Sequence, residues 1–121
     1  MVGMYGEKQM TIFESLKAWR DERGLQNKVG NIEANLCEEL TEYLRATTVE
    51  EEIDALCDMM VFAINAIEAK GYDAEICMQE TLKEIHSRKG DFNPELNKWE
   101  KFRTPEAMGL WYSADFKRAV K

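Results

Sequence analysis

Only two prolines and seven glycines interrupt the 121 residues, and the stretches between them repeat their apolar residues at helical spacing. Strand-type alternation is sustained nowhere, so the pattern predicts an all-α chain. A first helix is expected over about residues 11–23, with Ile12, Phe13, Leu16 and Trp19 on one side and Gly24 as its stop. A second covers about residues 28–46, from Lys28 to Ala46, behind the stripe Val29, Ile32, Leu36, Leu40, Tyr43 and Leu44. Thr48, with Glu51 three residues on, has the form of a capping box and opens a third helix that reaches Lys70 and stops at Gly71. Asp73 is placed to cap a fourth, which ends near Lys89 before Gly90. Residues 91–103, around Asn93 and Pro94, read as irregular, and Thr104 followed by Pro105 has the form of an N-cap with proline in the first turn of a last helix. The expectation is a helical bundle of four to five helices, with its core at about residues 11–90 and a C-terminal extension at about 91–121. A chain of this length makes one domain, enough for one core but not for two.

Acidic residues outnumber basic ones by 23 to 16, for a net charge of −7. That balance argues against affinity for nucleic-acid backbones, which need a surplus of cations to displace counterions. It suits a protein that gathers carboxylates around a cation, and equally a merely soluble surface. The first ten residues carry Glu7 and Lys8 and lack an apolar stretch of the kind a secretion leader needs, and no run approaches a membrane span. A cytoplasmic protein is therefore expected. Cys37, Cys57 and Cys77 sit beside apolar neighbours without CxxC spacing and read as reduced, buried small hydrophobes. Zinc is disfavoured, because His86 is the only histidine.

The region from Asn35 to Asn65 carries the chemistry. At about 100° per residue, Glu38, Glu39 and Glu42 share a sector of the second helix, and Glu39 borders the apolar stripe. On the third helix the same arithmetic aligns Glu51, Asp54, Asp58 and Asn65, opposite Ile53, Leu56, Met60, Ile64 and Ile67. Like charges at these spacings repel, and a divalent cation resolves the conflict. Magnesium fits, being a hard ion that takes carboxylate oxygens and substrate phosphates. Acidic residues on a helix are more often a solvated face, and Glu50, Glu51 and Glu52 also complement the positive end of their own helix.

Glu38-Glu39-x-x-Glu42 followed by Asp58 resembles the EExxE … ExxD signature of the MazG-like all-α NTP pyrophosphatase superfamily. The apolar run from Asp58 to Asn65, the Gly-x-Asp at Gly71 to Asp73, and the upstream Trp19 to Arg23 with Asn31 are similar to the same family, so the resemblance covers roughly residues 12–88. One departure stands out. The family's ExxD glutamate falls on Ala55, leaving Asp54, or Glu51 paired with Asp54, to replace it.

The resemblance implies Mg2+-dependent hydrolysis of a (d)NTP between its α- and β-phosphates, giving (d)NMP and pyrophosphate for nucleotide-pool housecleaning, with Mn2+ as a possible substitute. It implies Glu39, Glu42, Asp54 and Asp58 as metal ligands and Glu38 as the group that orients or deprotonates the attacking water. Asn65, Lys83, Arg88, Trp19 and Asn31 become candidates for substrate contacts, and Trp99, Trp111 and Tyr112 are further aromatics available for stacking or for covering the cleft. It further implies a homodimer or homotetramer. A phosphoribosyl-ATP pyrophosphohydrolase-like enzyme and a non-catalytic helical interaction module remain open beside this reading.

Overall fold

The structure, a computed structural model, describes residues 9–26 and 30–121. Among them the chain is mostly helical, with five α-helices: α1 (Ile12–Glu22), α2 (Ile32–Arg45), α3 (Val49–Ala69), α4 (Ala74–Ser87) and α5 (Pro105–Gly109). Two short strands, β1 (Gly90–Asn93) and β2 (Lys98–Lys101), lie between α4 and α5, and a 3₁₀ turn (Phe116–Ala119) follows α5. No helix among the described residues is long and apolar enough to cross a membrane. Lys28 and Val29, where the periodicity starts the second helix, lie outside the described residues, as do Glu7 and Lys8.

The helix ends follow from side-chain chemistry. Thr11 and Glu14 form a reciprocal capping box on α1, and Gly24 adopts a positive φ of 64° just beyond it. Asn31 Oδ1 accepts from the Ala34 amide and so caps α2. At α3 the Thr48 hydroxyl accepts from the Glu51 amide, while the Glu51 carboxylate reaches back to the backbone N–H and hydroxyl of Thr47. The expected box is thus displaced by one residue at its return bond. At α4 the Ala74 amide donates to Glu68 Oε2 at 2.6 Å, so the end of α3 holds the first amide of α4. Thr104 caps α5 through the Ala107 amide, with proline in the first turn, as the sequence predicts.

The residues group into two compact units. The first runs up to Ala74 and includes Lys121; the second is Glu75–Val120. In the first unit α2 and α3 pack as an antiparallel pair joined by the short turn through Ala46 and Thr47, and α1 touches α3. The inward stripe of α2 is Ile32, Leu36, Glu39 and Tyr43, whereas Leu40 and Leu44, placed on that stripe by periodicity, are exposed. The helix carries apolar residues on two faces, and packing against α3 selects the face that contains Glu39. On α3 the buried positions are Ala55 and Ala66, while Ile53, Leu56 and Met60 are exposed. Small residues at the buried positions let two helices approach closely. Cys37 and Cys57 are exposed, which corrects their reading as buried hydrophobes; Cys77 alone of the three is buried.

The second unit holds the main departure from the all-helical expectation. Residues 91–103, expected to be irregular, contain an antiparallel hairpin that pairs Gly90 with Lys101, Asp91 with Glu100, Phe92 with Trp99 and Asn93 with Lys98. The Asn93 side chain accepts from the amides of Glu95 and Leu96, and Asn97 takes a positive φ of 51°, which together close the turn. Gly90 is obligatory in this pairing, because a Cβ there would stand 1.9 Å from the Glu100 carbonyl oxygen.

The second unit is tied together by Glu80, which is 1% exposed. Its carboxylate accepts from Lys83 Nζ at 2.7 Å, Arg118 at 2.6 Å, the Asp115 amide at 2.9 Å and the Tyr112 hydroxyl. These donors, led by Lys83 and Tyr112, hold its pKa down at about 2. Glu84 accepts from the Ala114 amide, and the Ser87 hydroxyl from the Tyr112 amide, so the segment after α5 lies along α4.

Candidate functional site

Between Asn31 and Ala69, the α2–α3 pair carries ten carboxylates and one cation, Arg45. The whole net charge of the chain resides in the first unit, since the second has eight acidic and eight basic residues. Within this acidic pair Glu39 is distinctive. It lies on the inward stripe of α2, is 8% exposed, and its Oε2 is buried with no hydrogen-bond donor among the described residues. Burial raises its pKa first, and the neighbouring Glu42, Asp58 and Glu38 raise it further, to about 7. Glu42 stands close enough to share a proton with it.

Asp58, half-buried on α3, is also shifted upward, by burial and then by Asp54 and Glu42. Four of the five sequence-derived acidic candidates therefore act on one another across the α2–α3 contact: Glu38, Glu39, Glu42 and Asp58. Asp54, exposed on α3, joins through Asp58. Helical spacing accounts for this, as Asp54 and Asp58 are i and i+4.

Glu51, the alternative to Asp54, is engaged differently. Its carboxylate accepts from Thr47 and Thr48, and those hydrogen bonds lower its pKa. Ala55 is buried at 1% exposure, on the same inward side as Glu39. As the side chains stand, no three His, Cys, Asp or Glu groups among the described residues are gathered into a metal-ligating cage.

Comparisons with protein-family models, with curated proteins and with solved structures gave no match.

The remaining candidates each have a partner. Asn65 Oδ1 accepts from Arg20 Nη1 at 2.7 Å, and Asn31 caps α2. Trp19 is exposed, with the Arg23 guanidinium 5.1 Å from its ring centroid. In the second unit Lys83 pairs with Glu80, and Arg88 lies over the Trp111 ring at 4.4 Å and within 4.0 Å of Glu84.

Sequence reasoning passed over Arg20, which is 3% exposed and also pairs with Glu68 at 3.5 Å. Glu68 further accepts from Lys121 Nζ at 2.8 Å. Burial opposes ionisation of Glu68, but the Ala74 amide, Lys121 and Arg20 outweigh it and keep its pKa low. The signal was available: Phe13, Leu16 and Arg20 fall on one stripe at i, i+3 and i+7.

Proposed function

We propose that the α2–α3 pair is the catalytic centre of a MazG-like, magnesium-dependent nucleoside triphosphate pyrophosphohydrolase that converts a (d)NTP to (d)NMP and pyrophosphate. The observation that carries this reading is Glu39: a buried carboxylate with an oxygen that has no donor among the described residues, its pKa raised to about 7 by burial and then by Glu42, Asp58 and Glu38. A chain gains nothing by burying such a group for stability alone. A divalent cation supplies the missing partner, and an all-oxygen, anionic donor set suits Mg2+, with Mn2+ as a substitute.

Glu39, Glu42 and Asp58 would hold the ion, with Asp54 beside Asp58 in place of a glutamate at position 55. Bound there, magnesium would neutralise phosphate oxygens and acidify a water. Glu38, exposed and adjacent to Glu39, would be the group that orients or deprotonates the attacking water. Asn65 is held by Arg20 through its oxygen, which directs its amide N–H groups elsewhere, as donors suited to a sugar or phosphate acceptor.

Pyrophosphate and monophosphate release from a panel of canonical and modified dNTPs and NTPs, with magnesium or manganese, tests this directly. Activity is expected in the wild type and a loss of at least about a hundred-fold in Glu42→Ala. Turnover that survives Glu42→Ala, or none from any nucleotide, refutes it.

The buried Ala55 favours one second reading, a non-catalytic module whose acidic face binds a basic partner. Such a module would show no thermal stabilisation by millimolar magnesium plus nucleotide, whereas the enzyme would.

The exposed stripes Leu40–Leu44 on α2 and Ile53–Leu56–Met60 on α3 support self-association of the enzyme as a homodimer or homotetramer. Sedimentation at micromolar concentration should give an oligomer that Leu44→Glu with Ile53→Glu converts to monomer. A wild-type monomer would remove this part of the proposal.

A further inference from the structure

The β1–β2 hairpin carries the opposite electrostatic character to α2–α3. Residues 88–103 contain cations at positions 88, 89, 98, 101 and 103 against acidic residues at 91, 95 and 100. A cavity of about 450 Å³ opens along β2, lined by Leu96, Lys98, Trp99, Glu100, Lys101 and Arg103. That is the size of a site for one small ligand, not for a protein surface.

Three features define what would fill it. First, Lys98, Lys101 and Arg103 form no ion pair among the described residues, so three cations stand against one carboxylate around the concavity, and the Arg103 guanidinium lies 5.9 Å from the Trp111 ring centroid. The one carboxylate in the lining, Glu100, is engaged by the Asn93 side-chain amide. Second, Trp99 is 53% exposed, yet its indole N–H is fixed by donation to the Arg88 carbonyl at 3.1 Å. An exposed ring locked in place by its only donor is a preorganised stacking surface. Third, its cross-strand partner Phe92 is also exposed, so the aromatic face continues across the hairpin.

We propose that this hairpin binds a nucleoside triphosphate at a site separate from the acidic centre, with the base stacked on Trp99 and the phosphates on Lys101, which shares the Trp99 face of β2, and on Arg103 beyond it. Charge complementarity and the single-ligand volume favour a mononucleotide over a nucleic-acid strand. A strand would extend past these cations onto a unit whose acidic and basic residues balance. Phosphate oxygens match ammonium and guanidinium donors, and every base offers a π-face. Because no carboxylate of the α2–α3 pair takes part, binding here needs no divalent ion and does not depend on the catalytic proposal.

The test is calorimetric titration of the full chain with ATP and with dCTP in EDTA, beside inorganic tripolyphosphate and a single-stranded oligonucleotide. Binding of a nucleoside triphosphate is expected, weakened roughly ten-fold in Lys101→Glu and in Arg103→Glu and unchanged in Glu39→Gln. Circular dichroism and thermal melting establish that these surface variants keep their fold. Trp99→Leu should bring nucleotide affinity down to that of tripolyphosphate.

Four outcomes overturn the proposal: no binding in EDTA; binding indifferent to both charge reversals; tripolyphosphate binding as tightly as the nucleotide in the wild type; or the oligonucleotide binding more tightly than the mononucleotide. Loss of binding in Glu39→Gln but not in Lys101→Glu would assign the nucleotide to the acidic centre and likewise overturn it.

Discussion

Glu39→Gln should raise the melting temperature of the metal-free protein at pH 8 while lowering magnesium-dependent pyrophosphate release by at least about a hundred-fold. Both effects have one cause. In the folded chain Glu39 holds its proton up to a pH of about 7, against an ordinary value of 4.5. Between those values the folded state binds a proton that the unfolded chain has lost, so stability falls as pH rises from about 4.5 to about 7 and is level above. Asp58, also shifted upward, adds to the fall with the same sign.

Glutamine removes the charge that the fold penalises, and with it the metal ligand. Thermal melts across pH in EDTA and in magnesium test this. The wild type should lose stability with rising pH in EDTA and regain it with magnesium; the variant should keep only the smaller loss due to Asp58 and gain less from magnesium. A variant that keeps the wild-type slope, or that magnesium stabilises as strongly, would show that Glu39 is not the group that senses the ion.

Arg20→Ala is expected to cost about 3 kcal/mol, the scale of breaking a buried charged pair. Arg20 is the polar tie between α1 and α3, bonded to Asn65 and paired with Glu68. Its removal leaves Asn65 Oδ1 without its donor and strips one of the two cations from a mostly buried carboxylate. Urea unfolding would measure the loss. Arg20→Lys should recover part of it, since the charge returns but the two-ended reach of the guanidinium does not. A change below about 0.5 kcal/mol, the range of ordinary surface substitutions, would mean that α1 is held by its apolar contacts alone.

The helices were legible because their signals are local. Thr11, Thr48 and Thr104 cap within three residues of themselves, and the period between caps is unbroken. The choice between two apolar faces was not legible. Leu40 and Leu44 read as core until α3 is seen to pack on the side of Glu39, and only tertiary structure decides that. The hairpin escaped for a different reason. Four-residue strands offer at most two alternations, and the pair that defines this one, Phe92 with Trp99, is seven residues apart. The acidic candidates were found because helical spacing alone brings Asp54 beside Asp58 and Glu38 and Glu39 beside Glu42. Arg20 and Glu80 were passed over because a charge inside an apolar stripe looks like surface until its partners, 45 and 32 or more residues away, are known.

Glu80 also sets how unevenly the second unit tolerates change. Four donors converge on its one carboxylate, so each of them is partly redundant: with Lys83, Tyr112 or Arg118 altered, the other three still satisfy the oxygens. The reverse does not hold. Replacing Glu80 strands every donor at once and leaves the segment from Tyr112 to Arg118 held on α4 only by the Tyr112 and Ala114 amides, through Ser87 and Glu84. The unit is therefore robust at its periphery and brittle at one position. Variation can drift through the donors one at a time only while that acceptor stays a carboxylate.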